Sequence, residues 1–396
     1  MNFKSNTVWI SDNLPVLRGI NDACIDLIYL DPPFNSNKTY SAPVGSKAAG
    51  ASFKDAWTLD DIDVHEHGEL ADRNPAAYAV IEAARATHGK SMMSYLIFMA
   101  VRLLEMHRVL KDTGSIYLHC DTTASHYLKL LMDAIFGKNN FRNEIVWCYK
   151  SGGAPKKGFA KKHDTLFFYT LGNDYCFNLQ KEKSYNRRFK RYNFKGVEEF
   201  EDEMGWHTMV NMKDYWDIDM VGRTSKERTG YPTQKPLPLL ERIINASSNK
   251  GDMILDPFCG CATSLVAAYR MERQWVGIDI SPMAIKLVND RIMHGDRSEW
   301  DKQGSLFEGA IKLTKPPDRT DLGKLPNYRT HAHKLYGEQE GVCIGCDLHF
   351  PFKNMEVDHI TPKAKGGTDH IDNLQLLCNA CNRSKGVKTM AEWRAG

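Results

Sequence analysis

Over the first 295 positions, apolar residues gather in short runs that alternate with longer stretches of helical spacing, a pattern that predicts an α/β sheet. Residues 24–30, 252–255 and 274–280 are three such runs, and near-continuous apolar runs of this length read as strands buried on both faces. Residues 92–110 carry helical spacing and lead through Asp112-Thr113-Gly114 into a strand at 115–120. A second helix is predicted at 122–136, strands at 144–149 and 164–170, and helices at 237–246 and 265–270. No internal repeat or low-complexity tract interrupts this order.

Two strand ends carry chemistry. The run 24–30 stops at Asp31-Pro32-Pro33-Phe34, and two prolines can neither extend a helix nor donate to a ladder, so the chain must turn there. Open α/β sheets bind ligands at this carboxyl edge. The corner offers a carboxylate, a carbonyl and an aromatic face, which suits an exocyclic amino group on a flat base. The second corner is Asp256-Pro257-Phe258-Cys259-Gly260-Cys261-Ala262-Thr263-Ser264, between a strand and a helix. Small residues at such a turn let a ligand approach the backbone, and the amides of the helix start face its polar atoms. The following strand ends in Asp279, about 20 residues after the glycine turn, where a carboxylate can accept ribose hydroxyls.

Together these segments resemble the DNA amino-methyltransferases, which move a methyl group from S-adenosylmethionine to adenine N6 or cytosine N4. Asp31-Pro32-Pro33-Phe34 matches the catalytic tetrapeptide of that family, the run from Asp256 to Thr263 its cofactor loop, and Pro232-Thr233-Gln234-Lys235-Pro236 the motif leading into that loop. The catalytic segment precedes the cofactor segment, the permuted order of the beta class. The resemblance implies a Rossmann-like sheet over 1–296 with a recognition region at about 175–230. It also implies roles: Asp31 and the Pro32 carbonyl receive the target amino group beside Pro33, Phe34 stacks on the base, and Lys235, Asp256, Phe258, Gly260, Thr263 and Asp279 hold the cofactor. The family usually has glycine where this chain has Ala262, and a Cβ at a positive φ is costly.

Composition narrows the classes. The 396 residues are 42% hydrophobic and 26% charged, an ordinary globular balance with room for two or three domains. No run of about 18 apolar residues occurs, since 95–106 is broken by Arg102 and Glu105, and the amino end lacks a signal-peptide pattern. A soluble, cytoplasmic protein of prokaryotic or phage origin is expected, with its ten cysteines as thiols or metal ligands. The net charge is only +3, but between Lys150 and Lys195 there are 12 Lys and Arg against 3 acids, with aromatics interleaved. Residues 156–162 and 187–195 are therefore expected to meet double-stranded DNA. Acidic stretches at 60–72 and 198–203 read as solvated loops.

The carboxyl end differs. Cys343-Ile344-Gly345-Cys346 and Cys378-Asn379-Ala380-Cys381 are paired CxxC knuckles, which predict a tetrahedral structural zinc. With Val357-Asp358-His359-Ile360, Gly366-Gly367 and Asn373 between the knuckles, and Asn382 after the second, the segment resembles an HNH nuclease: two strands and a helix, a ββα-metal module stapled by zinc. By that resemblance His359 activates water, Asp358 and Asn382 hold a divalent ion, and Asn373 orients the histidine loop. Asn382 replaces the family's frequent final histidine, and an amide oxygen suits Mg²⁺. Residues 297–325 read as a linker to this module at 326–396.

The expected protein is an adenine-N6 DNA methyltransferase fused to an HNH nuclease, and a homodimer is compatible with this reading. Adenine is preferred because cytosine-N4 members tend to have serine at the Asp31 position. The alternative is a cytosine-N4 enzyme whose zinc module only binds DNA. A cytosine-C5 enzyme needs a nucleophilic cysteine after proline, and no Pro-Cys pair occurs. Protein-glutamine methyltransferases typically carry asparagine in place of Asp31. A non-catalytic DNA-binding protein is separated from an enzyme by calorimetry of cofactor binding.

Overall fold

The computed structural model describes residues 1–36, 38–43, 45–58, 70, 73–150, 153, 155–294, 309–321 and 328–395. They form two units, Met1–Arg319 and Thr320–Gly396.

In the first unit the strands, in chain order, are β1 (Thr7–Ile10), β2 (Ile25–Leu30), β3 (Lys38–Ser41), β4 (Ser52–Asp55), β5 (Leu110–Cys120), β6 (Phe141–Cys148), β7 (His163–Thr170), β8 (Lys181–Tyr185), β9 (Glu199–Asp202), β10 (Gly205–Asn211), β11 (Tyr215–Asp217), β12 (Met253–Asp256), β13 (Gln274–Asp279) and β14 (Ile311–Leu313). Nine of them make one sheet in the order β11-β6-β7-β5-β2-β12-β13-β1-β14. Only β7 runs against its neighbours in it. β2 and β12 are adjacent, with Leu27 opposite Ile254 and Ile28 opposite Leu255. Both motif corners therefore leave the same sheet edge side by side.

The sheet is buried on both faces, which is why its central strands read as apolar runs. Ile28 and Leu30 of β2 pack into one core layer, while Leu27 and Tyr29 pack into the other. The helix Lys90–Val109 lies in the first layer with 14 of its 20 residues buried. Arg102 and Glu105, the charges that break its apolar pattern, are buried as well. Arg102 donates to Asp12 at 2.8 Å and Asn13 at 2.6 Å, and Glu105 accepts from Arg108 at 2.8 Å and Arg73 at 3.2 Å. Unpaired, either charge would be prohibitively costly there. Among the described residues no helix is long and apolar enough to cross a membrane.

Several boundaries differ from the sequence reading. The strand expected at 115–120 starts at Leu110, with Lys111 tied to Asp26 at 2.7 Å, so Asp112-Thr113-Gly114 bends a strand and does not precede it. The helix expected at 122–136 is α-helical over Ser125–Met132 and loosens into a π turn at Asp133–Gly137. Within 175–230, β8, β10 and β9 form a separate antiparallel sheet, but β11 rejoins the main sheet beside β6. Part of the expected linker is also a strand: β14 extends the free edge of β1, with Thr7 opposite Ile311. Most of the acidic stretch 60–72 lies outside the described residues.

In the second unit, β15 (Met355–His359) and β16 (Leu374–Cys378) form an antiparallel pair, followed directly by the helix Asn379–Lys385. Its small core joins Leu335, Met355, Leu374, Leu376 and Leu377 to Cys343 and Cys378.

Candidate active sites

A cavity of about 620 Å³ opens at the carboxyl edge of the main sheet. Its wall includes all ten residues assigned from the sequence to methyl transfer: Asp31, Pro32, Pro33, Phe34, Lys235, Asp256, Phe258, Gly260, Thr263 and Asp279. Strand adjacency explains the convergence, because β2, β12 and β13 lie next to one another and each ends in one of these carboxylates or its corner.

The carboxylates differ in what holds them. Asp31 accepts the Lys235 ammonium on Oδ2 at 2.6 Å. Asp279 accepts the Gly260 amide at 2.8 Å and the Ser281 amide at 2.7 Å, and burial pushes its pKa up. Each oxygen keeps a further lone pair for a hydroxyl donor. Asp256 accepts from the Phe258 amide at 3.0 Å and the Ser264 hydroxyl, and burial raises its pKa to about 7. Both Asp256 oxygens are thus engaged inside the corner, where they brace the loop. Thr263 is similarly committed: its hydroxyl donates to the Lys235 carbonyl at 3.2 Å and accepts from Arg291 at 2.8 Å.

Ala262 has φ 62° and ψ 33°, the left-handed conformation that a glycine adopts without penalty, at the start of the helix Thr263–Arg270. A Cβ there costs roughly 1–2 kcal/mol. Arg291 offsets this by holding the preceding Cys261 carbonyl at 2.9 Å.

Phe34 lies 5.9 Å, ring to ring, from His119, a buried residue fixed between the Tyr29 hydroxyl at 2.9 Å and Asp164 at 3.2 Å. The aromatic face of the corner therefore rests on a rigid polar network. Asp55, at the end of β4, accepts from the Asn35 amide at 2.6 Å and the Ser36 amide at 3.0 Å and fixes the turn that follows Phe34. Asn13 donates to the Pro257 carbonyl at 2.8 Å and so ties the second corner. These supports escaped the sequence reading, because nothing local marks His119, Asp55 or Asn13 as partners of segments far along the chain.

S-adenosylmethionine carries a sulfonium, a ribose and an adenine. The cavity offers the ribose a carboxylate at Asp279, the adenine an aromatic ring at Phe258, and close approach to the backbone at the small Gly260, so the donor set fits. At the same edge Cys148, the end of β6, pairs with His163, the start of β7, and the basic segment 155–162 precedes β7. In it Phe159 is 99% exposed among exposed lysines, and Phe189, Tyr192 and Phe194 are exposed in the second basic segment.

In the second unit the sulfurs of Cys343, Cys346, Cys378 and Cys381 lie within 4.8 Å of one another. The Cys378 and Gly345 amides donate to the Cys343 sulfur at 3.1 and 3.3 Å. Amides aimed at clustered sulfurs favour thiolates, which suits a four-thiolate zinc.

His359 and Asp358 line a separate cleft of about 310 Å³ with Tyr328 and Lys363. Nε2 of His359 bonds Asp369 at 2.8 Å, and Asp369 pairs with Lys363 at 2.5 Å. Asn373 binds the Thr361 amide and the Thr361 and Thr368 carbonyls, each at 2.9 Å, which fixes the loop after the histidine. The two residues read as magnesium ligands each have other partners. Asp358 is buried against Gln375 at 2.8 Å and the Lys385 ammonium at 3.0 Å, whereas Asn382 bonds Glu356. The strand period of two and the helical spacing of three set Glu356 against Asn382 and Asp358 against Lys385. This arrangement does not fit a divalent ion held by Asp358 and Asn382.

Over residues 25–290 the chain matches the DNA methylase family model N6_N4_Mtase, and over 343–388 the HNH endonuclease model. It is 27% identical over 284 residues to the type II methyltransferase M.HpaI of Haemophilus parainfluenzae, covering 71% of this chain and 72% of that protein. It is 26% identical over 291 residues to the DNA adenine methyltransferase YhdJ of Escherichia coli K12, covering 72% and 81%. Among solved structures, the cytosine-N4-specific PvuII DNA methyltransferase aligns with 14% identity and a TM-score of 0.43, covering 76% of this chain and 93% of that one. The chain belongs to the DNA methylase family of N6 and N4 amino-methyltransferases and carries an HNH endonuclease domain at its carboxyl end.

Proposed function

We propose that this protein methylates adenine N6 at a specific sequence in double-stranded DNA, with S-adenosylmethionine as donor, and that its carboxyl module cleaves DNA. The observation that carries the first part is the sharing of one cavity by the Asp31-Pro32-Pro33-Phe34 corner and the Gly260 loop with Asp279. The target amino group cannot reach this depth while stacked, so the base must leave the duplex. Asp31 and the Pro32 carbonyl then accept its hydrogens and draw the nitrogen lone pair out of conjugation, while Phe34 stacks on the ring. When bound beside Asp279, Phe258 and Gly260, S-adenosylmethionine would supply an electrophilic methyl and keep the C–S electron pair on sulfur, and the methylated nitrogen would lose its surplus proton to water. Adenine is favoured by the carboxylate at position 31 and by the relative named as an adenine methyltransferase. Nucleoside analysis of DNA treated with the protein tests the choice, since N4-methylcytosine would replace this reading with the other amino target.

Asp279→Ala is expected to weaken S-adenosylmethionine binding by roughly 1.5–3 kcal/mol, the value of a charged acceptor lost from a ribose. Calorimetry reads this directly, and an unchanged affinity would assign the ribose to another group.

Support for cleavage comes from the HNH match and from His359, whose ring is held by Asp369 at the mouth of a cleft. With one ring nitrogen donating to Asp369, the other is left as an acceptor for a water proton. His359→Ala should abolish plasmid nicking while zinc content and methyl transfer persist. Nicking is to be followed with Mg²⁺ and with a chelator, on methylated and unmethylated DNA. Equal cleavage by the variant would remove the histidine from this role, and no cleavage on any substrate would favour a module that only binds DNA.

A further inference from the structure

We infer that Lys235 serves the catalytic carboxylate and not the cofactor: it is a positioning residue that fixes Asp31 for the target amino group. The inference rests on the methyltransferase reading above.

The ammonium donates to Asp31 Oδ2 at 2.6 Å and lies 3.4 Å from the Thr233 carbonyl. Both partners are largely shielded, with side-chain exposures of 9% for Lys235 and 19% for Asp31. The same ammonium is 5.3 Å from the centre of the Phe34 ring. One cation thus touches the carboxylate and borders the aromatic face of the same corner.

The lysine is held in place before any ligand arrives. Its carbonyl accepts from Thr263, and Pro236 starts the helix Leu237–Ser247 directly after it. On its other side, Gln234 accepts from the Thr229 amide at 2.8 Å and donates to the Glu227 carbonyl at 2.9 Å. A lysine anchored on both flanks loses little freedom when it pairs.

The consequence is a division of labour on Asp31. Oδ2 is committed to the ammonium, which leaves Oδ1 as the acceptor facing an incoming amino group. The pairing also counters the repulsion from Asp256 and Asp279, which line the same cavity. A carboxylate that would otherwise rotate is thereby held in one orientation, at no reorganisation cost during the reaction.

The test compares Lys235→Met, Lys235→Ala, Asp31→Ala and the Asp31→Ala, Lys235→Met double variant in the full-length protein. Calorimetry gives the S-adenosylmethionine Kd, and labelled methyl transfer to DNA at saturating donor gives kcat. Lys235→Met should keep the Kd within about twofold and lose at least a hundredfold in kcat, and the double variant should be no slower than Asp31→Ala alone. Methylammonium should restore part of the rate to Lys235→Ala, because a small cation can refill the space beside Asp31. Should Lys235→Met fail to fold, the methylammonium rescue of Lys235→Ala decides the matter. A Kd raised fiftyfold with unchanged kcat would overturn the assignment and make Lys235 a cofactor ligand, as would multiplicative losses in the double variant. A wild-type protein that methylates no DNA would instead refute the methyltransferase reading itself.

Discussion

Asp31→Ala is expected to lower methyl transfer by two to four powers of ten while S-adenosylmethionine binds almost as before. In the proposed mechanism the carboxylate receives the target amino group, and losing such an acceptor removes about 3–5 kcal/mol of transition-state stabilisation. Cofactor contacts are assigned to Asp279, Phe258 and Gly260, which sit on different strand ends and keep their own hydrogen bonds. The substitution also strands the largely buried Lys235 ammonium, so Asp31→Asn belongs beside it as a variant that preserves shape and one acceptor. Labelled methyl groups reaching DNA at the wild-type rate would remove Asp31 from the reaction.

The second large effect is expected in the carboxyl unit. Cys378→Ser should reduce bound zinc to none and unfold the module, leaving methyl transfer by the first unit intact. A core of a few leucines and Met355 around Cys343 and Cys378 is too small to stand without a staple. A structural zinc bound by four thiolates supplies on the order of 10–16 kcal/mol, all of it linked to folding. Zinc quantification and limited proteolysis of the full chain read the two losses separately. Retained zinc would mean that the four sulfurs are not its ligand set.

What the sequence made legible follows from what is local. β2, β12 and β13 announce themselves because both sheet faces are covered, so their residues form apolar runs with few polar breaks. The two Asp-Pro corners lie at the ends of such runs, and strand adjacency then brings them into one cavity. The CxxC knuckles carry their geometry in their spacing. By contrast, β14 is three residues long and exists because β1 has a free edge, a fact its own composition cannot state. Arg102 and Glu105 look like interruptions of an apolar helix until Asp12, Asn13, Arg73 and Arg108 are seen to pair with them.

The nuclease-like module shows the same limit more sharply. Asp358 and Asn382 stand at family spacing, yet their contacts depend on how the helix Asn379–Lys385 is rotated against β15. That rotation gives Asp358 to Lys385 and Asn382 to Glu356. Asp369, which holds His359, lies in a loop where a single acid carries no signal of its own.

The proposed reaction is methylation of the exocyclic amino group of adenine in duplex DNA, at the cavity along the edge of β2 and β12. The most direct measurement is sequencing that reports modified bases, applied to DNA from cells expressing the wild-type chain and to DNA from cells expressing Asp31→Ala. N6-methyladenine is expected at one recurrent sequence context with the wild type and none above background with the variant. Unmodified DNA in both, or the same modification in both, would contradict it.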